Sequence, residues 1–189
     1  MMKAVGIVGS PRQGGNTEIL VSEALRVLRE EGIETEMILL AGKSIKGCDA
    51  CQACSKTGEC AVDDDMEPIR QKMLAADAII VGSPVYYSGA TPETMALLHR
   101  VGYSSRALGR PFERKVGGPI AVARRAGQNF ALAEMMYFFL ITGMIVPGST
   151  YWNMAFGREK GEVLQDEEGL RTIRNFAQNV AWLLKKIKA

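Results

Sequence analysis

Residues 3–17 read Lys3-Ala4-Val5-Gly6-Ile7-Val8-Gly9-Ser10-Pro11-Arg12-Gln13-Gly14-Gly15-Asn16-Thr17. The apolar run Ala4–Val8 ends at Gly9-Ser10-Pro11, which predicts a buried strand closed by a tight loop. From Thr17 to Arg29 the apolar residues Ile19, Leu20, Ala24, Val27 and Leu28 recur at helical spacing. The rest of the chain repeats this order of strand, loop and helix. Thr35–Leu40, Ala78–Val81, Val116–Ala123 and Met144–Val146 read as four further strands. Asp65–Ala75, Thr91–Val101, Gly127–Thr142 and Gly169–Lys186 read as helices, and 149–168 as an excursion before the last of them. Asp64 or Asp65 is placed to cap the first of these helices. Thr91 caps the second, with Pro92 at its first position. Five strands alternating with helices imply an α/β protein, a parallel sheet with helices on both faces. No repeat, low-complexity stretch or linker interrupts 1–189, so one domain is expected.

A chain of 189 residues can bury one full core without disulfide staples. With 47% apolar and 23% charged residues it is neither a disordered nor a collagen-like chain. The 23 Lys and Arg nearly balance the 21 Asp and Glu, for a net charge of +2 without a basic stripe. Nucleic acid is therefore not expected as a partner. The run Met135–Val146 is broken at Thr142-Gly143, well short of the ~20 apolar residues that span a bilayer. After Lys3 only six largely apolar residues precede Ser-Pro-Arg, which is not the layout of a signal peptide. A soluble, cytoplasmic protein with no membrane partner is expected.

In a parallel sheet, ligands lie beyond the carboxyl ends of the strands. The loops after strands one, three and four are thus the candidate site. Gly9–Thr17 is not Gly-x-Gly-x-x-Gly, and Asn16 stands where a nucleotide P-loop has Lys, which argues against an ATPase. It does have the chemistry of a phosphate cradle. Ser10 and Thr17 bring hydroxyls, Asn16 an amide and Arg12 a charge, at the positive end of a helix. The plainer reading is a tight turn with Thr17 as a cap. Ser83–Gly89 carries Pro84, Tyr86 and Tyr87, a platform for a planar heteroaromatic ring unless a tyrosine merely covers core. Ala123–Gln128 forms a third wall, where Arg124 and Arg125 serve a cofactor phosphate, a nicotinamide substrate or only solvent.

All four cysteines fall within thirteen residues, as Cys48, Cys51, Cys54 and Cys60, spaced C-x2-C-x2-C-x5-C. Without a secretory signal, metal or redox chemistry is favoured over a disulfide framework. The first three spacings match bacterial ferredoxins, and four thiolates suit an iron–sulfur cluster. Zinc more often takes two separated knuckles. Zinc and a metal-free redox loop stay open as alternatives.

On Gly9–Thr17, Cys48–Cys60 and Ser83–Gly89 together, the chain resembles the iron–sulfur flavoproteins of anaerobic archaea and bacteria. These are a branch of the flavodoxin-like NADPH-dependent FMN reductases. The resemblance runs from Lys3 through the last helix. It implies a three-layer, doubly wound sheet of order 2-1-3-4-5 that binds FMN. Ser10, Arg12, Asn16 and Thr17 would hold the FMN phosphate. Pro84, Val85, Tyr86, Tyr87, Ser88 and Gly89 would line the flavin ring, with Arg124 and Gly127 nearby. Cys48, Cys51, Cys54 and Cys60, in a loop spanning 42–64, would ligate a [4Fe–4S] cluster. The resemblance also implies a homodimer or homotetramer, in which a cluster would face a flavin across a subunit interface. The Arg-rich loop after strand four departs from the Gly-rich run of many flavin reductases.

The function expected is electron transfer from a ferredoxin-like or NAD(P)H donor, through cluster and FMN, to a small acceptor such as a quinone, O2 or peroxide. The alternatives are a cluster-free NAD(P)H-dependent FMN or quinone reductase, and a non-enzymatic redox sensor. No acid–base residue is required. His99, the one histidine, reads as structural or surface, and Asp63-Asp64-Asp65 as a solvated helix start.

Overall fold

Ala78–Pro84 (β3) runs through the middle of the molecule, and its first six residues are buried. Such an unbroken buried run marks a strand covered on both faces. The computed structural model describes residues 1–188. Lys3–Val8 (β1) and Val116–Ala123 (β4) flank β3, with Glu34–Leu39 (β2) and Met154–Phe156 (β5) at the edges. The order is β2-β1-β3-β4-β5, and every pairing is parallel. This is the flavodoxin-like order expected from the resemblance.

Alternate strand residues feed two cores, as the period of two requires. Ala4, Val8, Ala78, Ile80, Ile120 and Val122 face Asn16–Glu30 (α1) and Glu167–Lys188 (α6). Val5, Ile7, Ile79, Val81 and Ala121 face the other layer. That layer is Met66–Ala75 (α3), Pro92–Ser104 (α4) and Gln128–Ile141 (α5). A single turn, Cys54–Thr57 (α2), lies in the cysteine-rich loop after β2. Thr91 caps α4 with Pro92 in its first turn, as read from the sequence.

Helix α1 lies close on the sheet because two strand residues have no side chain. A Cβ on Gly6 would stand 2.7 Å from Val21 Cγ1, and one on Gly82 2.4 Å from Val21 Cγ2. Helices α1 and α6 are joined by Glu23, which accepts from both Arg26 and Arg174. The Arg26 bond outweighs burial and, with Arg174, holds the Glu23 carboxyl down at about 2.

The fifth strand differs from the expectation. Met144–Val146 is not the strand; Ile145 makes one isolated parallel bridge to Val116. Pairing resumes at Met154–Phe156, opposite Ala121–Ala123. Pro147 has no N–H for the ladder, and the chain leaves the sheet between the two contacts. Asn153 anchors its return, donating to the Pro119 carbonyl and accepting from Ser149. The 149–168 excursion therefore contains the edge strand. Among the described residues, no helix is long and apolar enough to cross a membrane.

Two outcomes follow from this packing. Gly82→Ala should cost about 1–3 kcal/mol in urea unfolding through overpacking. Adding Val21→Ala should recover part of that cost, because the two residues share one contact. Glu23 titrates lower folded than unfolded, so its contribution is present above its ordinary value of 4.5 and lost as pH falls toward about 2. The destabilisation by Glu23→Gln should accordingly be largest above about pH 5 and shrink across that acid window.

Candidate functional site

The loops after β1, β3 and β4 meet at one end of the sheet. The Gly9 N–H donates to the Gly82 carbonyl (2.8 Å), and the Thr91 hydroxyl donates to the Gly9 carbonyl (2.8 Å). The Thr91 N–H in turn donates to the Ser83 hydroxyl (3.0 Å). A Cβ on Gly9 would stand 1.8 Å from Thr94 Oγ1, so only glycine allows this approach. Between the loops lies a cleft of about 290 Å³, lined by Ser10, Arg12, Asn16, Thr17, Pro84, Val85, Tyr86, Val122, Ala123, Arg124, Gly157 and Arg158. That volume is at the small end for a small-molecule site.

Ser10 and Thr17 are buried at the cleft, and Arg12 is exposed. The N-cap of α1 is Gly15, not Thr17, and no side chain caps the helix. Its first-turn amides are left for an anion, in the region where the helix dipole favours negative charge. Asn16 is committed differently. Its Nδ2 donates to the Glu159 carbonyl (2.8 Å), and its Oδ1 accepts from the Val163 N–H (3.4 Å). Arg12 donates to the Arg158 carbonyl (3.3 Å) and Lys160 to the Gln13 carbonyl (2.7 Å). Residues 157–163 thus form a strap along the phosphate-type loop.

After β3 the chain turns back in a two-residue hairpin, with Tyr86 and Gly89 exchanging N–H···O bonds of 2.8 and 2.9 Å. Tyr87 and Ser88 hold positive φ, 47° and 68°, as a type I′ turn requires. Non-glycine residues in that region carry strain. Tyr86 borders the cleft, whereas Tyr87 is fully exposed and Ser88 and Gly89 lie off its wall. Gly127 backs the hairpin: at φ 94°, its added Cβ would stand 2.9 Å from Val85 Cγ1 and 3.0 Å from Ser88 Cα. Arg124 lines the cleft, and Arg125 is exposed.

Gly157 and Arg158 were not among the expected residues. They obey the same rule, following a strand's carboxyl end. The displaced fifth strand hid them. A larger groove of about 750 Å³ lies elsewhere, between α4 and α5, lined mainly by apolar side chains such as Leu98, Phe138 and Ile141. It lies off the strand ends, where this fold puts its ligands.

The cysteine loop is held at its base by two zipped ends. The Ser44 and Lys46 N–H groups donate to Asp65 and Asp64 (both 2.7 Å). Arg100, from α4, is buried and grips four points. It donates to the Lys46 carbonyl (3.0 Å), the Val62 carbonyl (3.1 Å), Asp64 Oδ2 (2.5 Å) and Cys60 Sγ (3.2 Å). Its Nε has no protein partner. Arg70, also buried, donates to the Gly58 carbonyl and to Ser105 Oγ (3.1 Å). Asp64 is therefore not the solvated residue expected at a helix start; its side chain is 1% exposed. Burial works against its charge, but Arg100 and the Lys46 and Met66 N–H groups outweigh burial and hold the carboxyl below the usual range. His99 is exposed on α4, and it lines the larger groove rather than the cleft.

Cys48 and Cys51 are exposed, Cys54 is buried and Cys60 is half-buried. Burial pushes the Cys54 thiol up, and Cys60, Cys51 and Cys48 add to the shift, so all three are within electrostatic reach of it. Among the described residues, no three Cys, His, Asp or Glu side chains form a ready-made metal cage. Ala50 and Gln52 adopt positive φ, 57° and 60°, between the first cysteines. The donors fit an iron–sulfur group in number and softness. Their loop is anchored on the Cys60 side and exposed on the Cys48 side.

A doubly wound sheet of this order, with an uncapped helix end and a hairpin-walled cleft at the strand ends, defines a flavodoxin-like protein. Residues 2–159 match the family described as NADPH-dependent FMN reductase. An iron-sulfur flavoprotein of Methanocaldococcus jannaschii is 43% identical over 99% of this chain and 100% of its own length. One of Methanosarcina thermophila is 35% identical over 99% of this chain and 97% of its own. In fold, RosB with a bound 8-demethyl-8-formylriboflavin-5'-phosphate superposes with a TM-score of 0.77 at 18% identity, over 100% of this chain and 81% of that one. The chain belongs to the iron–sulfur flavoprotein branch of the NADPH-dependent FMN reductases, and it is a flavin-dependent oxidoreductase with an FMN-binding redox function.

Gly127→Ala should displace the Val85–Ser88 segment at the cleft wall, because the added Cβ collides with Val85 and with the Ser88 backbone. Its FMN Kd, read from flavin fluorescence quenching, should rise about tenfold, or ~1.4 kcal/mol. Unchanged affinity would mean that the hairpin does not border the flavin.

Proposed function

We propose that this chain is an electron-transfer flavoprotein, carrying electrons between a low-potential donor, a [4Fe–4S] cluster, FMN and a small acceptor such as a quinone, O2 or peroxide. The supporting observation is the pairing, in one 189-residue chain, of a flavin-type cleft with four thiols on a loop gripped by buried arginines. When bound, FMN takes up electrons singly or in pairs, while a cluster exchanges them one at a time.

On this reading the whole chain, 1–189, is one FMN-binding domain with a cluster-binding loop at 42–64. Cys48, Cys51, Cys54 and Cys60 hold the cluster. Ser10, Thr17 and the first amides of α1 receive the FMN phosphate, with Arg12 adding charge from the rim. Asn16 contributes by holding the 157–163 strap against the loop. Pro84, Val85 and Tyr86 line the ring, and Tyr87, Ser88, Gly89 and Gly127 shape the hairpin beside it. Arg124 serves the cofactor phosphate or an incoming nicotinamide. No side chain of the site needs to act as an acid or base. The donor is ferredoxin-like or NAD(P)H, and the protein works in the cytoplasm. Tyr137, Leu140 and Ile141 leave an exposed apolar face on α5, which supports a homodimer or homotetramer.

Iron, sulfide, zinc and FMN should be counted per chain on anaerobically purified protein. About four irons, four sulfides and one FMN are expected. In Cys51→Ser the iron should be lost or depleted while FMN remains. FMN without iron or sulfide would overturn the cluster reading and leave a plain NAD(P)H-dependent flavin or quinone reductase.

A further inference from the structure

Arg100 is an unusual use of a buried cation. Its side chain is 0% exposed, and Asp64, the carboxylate it pairs with, is 1% exposed. Burying an ion pair is costly, and a stable alternative is apolar packing of similar volume. The pair also does more than close the loop. Asp64 accepts the Lys46 N–H (2.7 Å) and the Met66 N–H (3.0 Å), so it already bridges both ends without help. Arg100 adds bonds to the Lys46 and Val62 carbonyls, and the nitrogen that serves Val62 also reaches Cys60 Sγ at 3.2 Å. Arg70 provides a contrast, since its contacts are Gly58, Ser105 and Glu67, with no sulfur.

We infer that Arg100 is a positioning residue for the iron–sulfur group, fixing Cys60 as the anchored ligand and setting the group's reduction potential through an N–H···S bond. The inference rests on the cluster reading above. One-electron reduction adds negative charge to the cluster and its thiolates. A donor hydrogen bond and a nearby cation both favour that reduced form, so both raise the potential. Asp64 opposes the cation and sets how much of its charge the sulfur senses. The two halves of the pair therefore act in opposite directions on the same site.

Opposite directions make the test sharp. The double variant Arg100→Met with Asp64→Asn removes both charges together, so no lone buried ion is left and the net charge of the pair stays zero. What it removes at Cys60 is the hydrogen bond. Asp64→Asn alone keeps the hydrogen bond and leaves the cation uncompensated. Midpoint potentials are measured by redox titration followed by electron paramagnetic resonance, on anaerobic holoprotein with iron and FMN counted. The double variant should reduce less readily by about tenfold in the one-electron equilibrium, a downward shift of about 59 mV. Asp64→Asn should shift in the upward direction. Unchanged potentials in both variants, with iron content intact, would overturn the proposal and make Arg100 a packing residue. If the double variant loses iron and FMN together through misfolding, the sign of the Asp64→Asn shift decides. An unmoved or lowered potential there overturns the proposal. Wild-type protein holding FMN but no iron would instead overturn the cluster reading itself, which separates the two failures.

Discussion

One cross-tie organises this molecule: the bond from the Gly9 N–H to the Gly82 carbonyl, locked by the Thr91 hydroxyl on the Gly9 carbonyl. It joins the ends of two adjacent parallel strands at the place where the chain must leave the sheet. Helix α1 departs from one side of that tie and α4 from the other. Small residues are needed throughout, since Gly6, Gly9 and Gly82 each sit where a Cβ would meet a helix side chain. The close packing of α1 on the sheet brings its uncapped end to the cleft. Helix packing and the placement of that uncapped end are thus two results of one constraint.

The sheet was largely legible from the chain, because a parallel strand covered on both faces shows itself as an unbroken apolar run. Ala4–Val8, Ala78–Val81 and Val116–Ala123 are of that kind. The fifth strand is illegible for the converse reason. Met144–Val146 looks like a strand, while Met154–Phe156 is three residues at an edge, one of them exposed, and has no pattern to find. Gly157 and Arg158, which border the cleft, follow this unpatterned strand and share its illegibility. Tyr86 and Tyr87 are adjacent and alike in sequence. Only the hairpin's positive φ values separate them, sending Tyr86 to the cleft and Tyr87 to solvent.

The cysteine loop divides in the same way. Its donors are visible as a spacing, and its supports are not. Arg100 lies 36 to 54 residues along the chain from the loop residues it holds, Arg70 lies 12 beyond Gly58, and in sequence each looks like an ordinary surface charge. Asp64 looked like one member of a solvated acidic run. The buried pairing depends on α4 packing beside the loop, a tertiary contact that no local pattern carries. A compact ligand motif thus says what can be bound, whereas the grip on it comes from side chains that a motif does not include.

The strap along the phosphate-type loop has a consequence for how the protein is made. Arg12 and Arg158 are 146 residues apart in sequence, and Lys160 and Gln13 are 147 apart. Contacts of such separation close late, because the intervening chain must first be ordered. The cleft therefore gains its strap late in folding, after the cysteine loop has closed on its arginines through contacts only 12 to 54 residues apart.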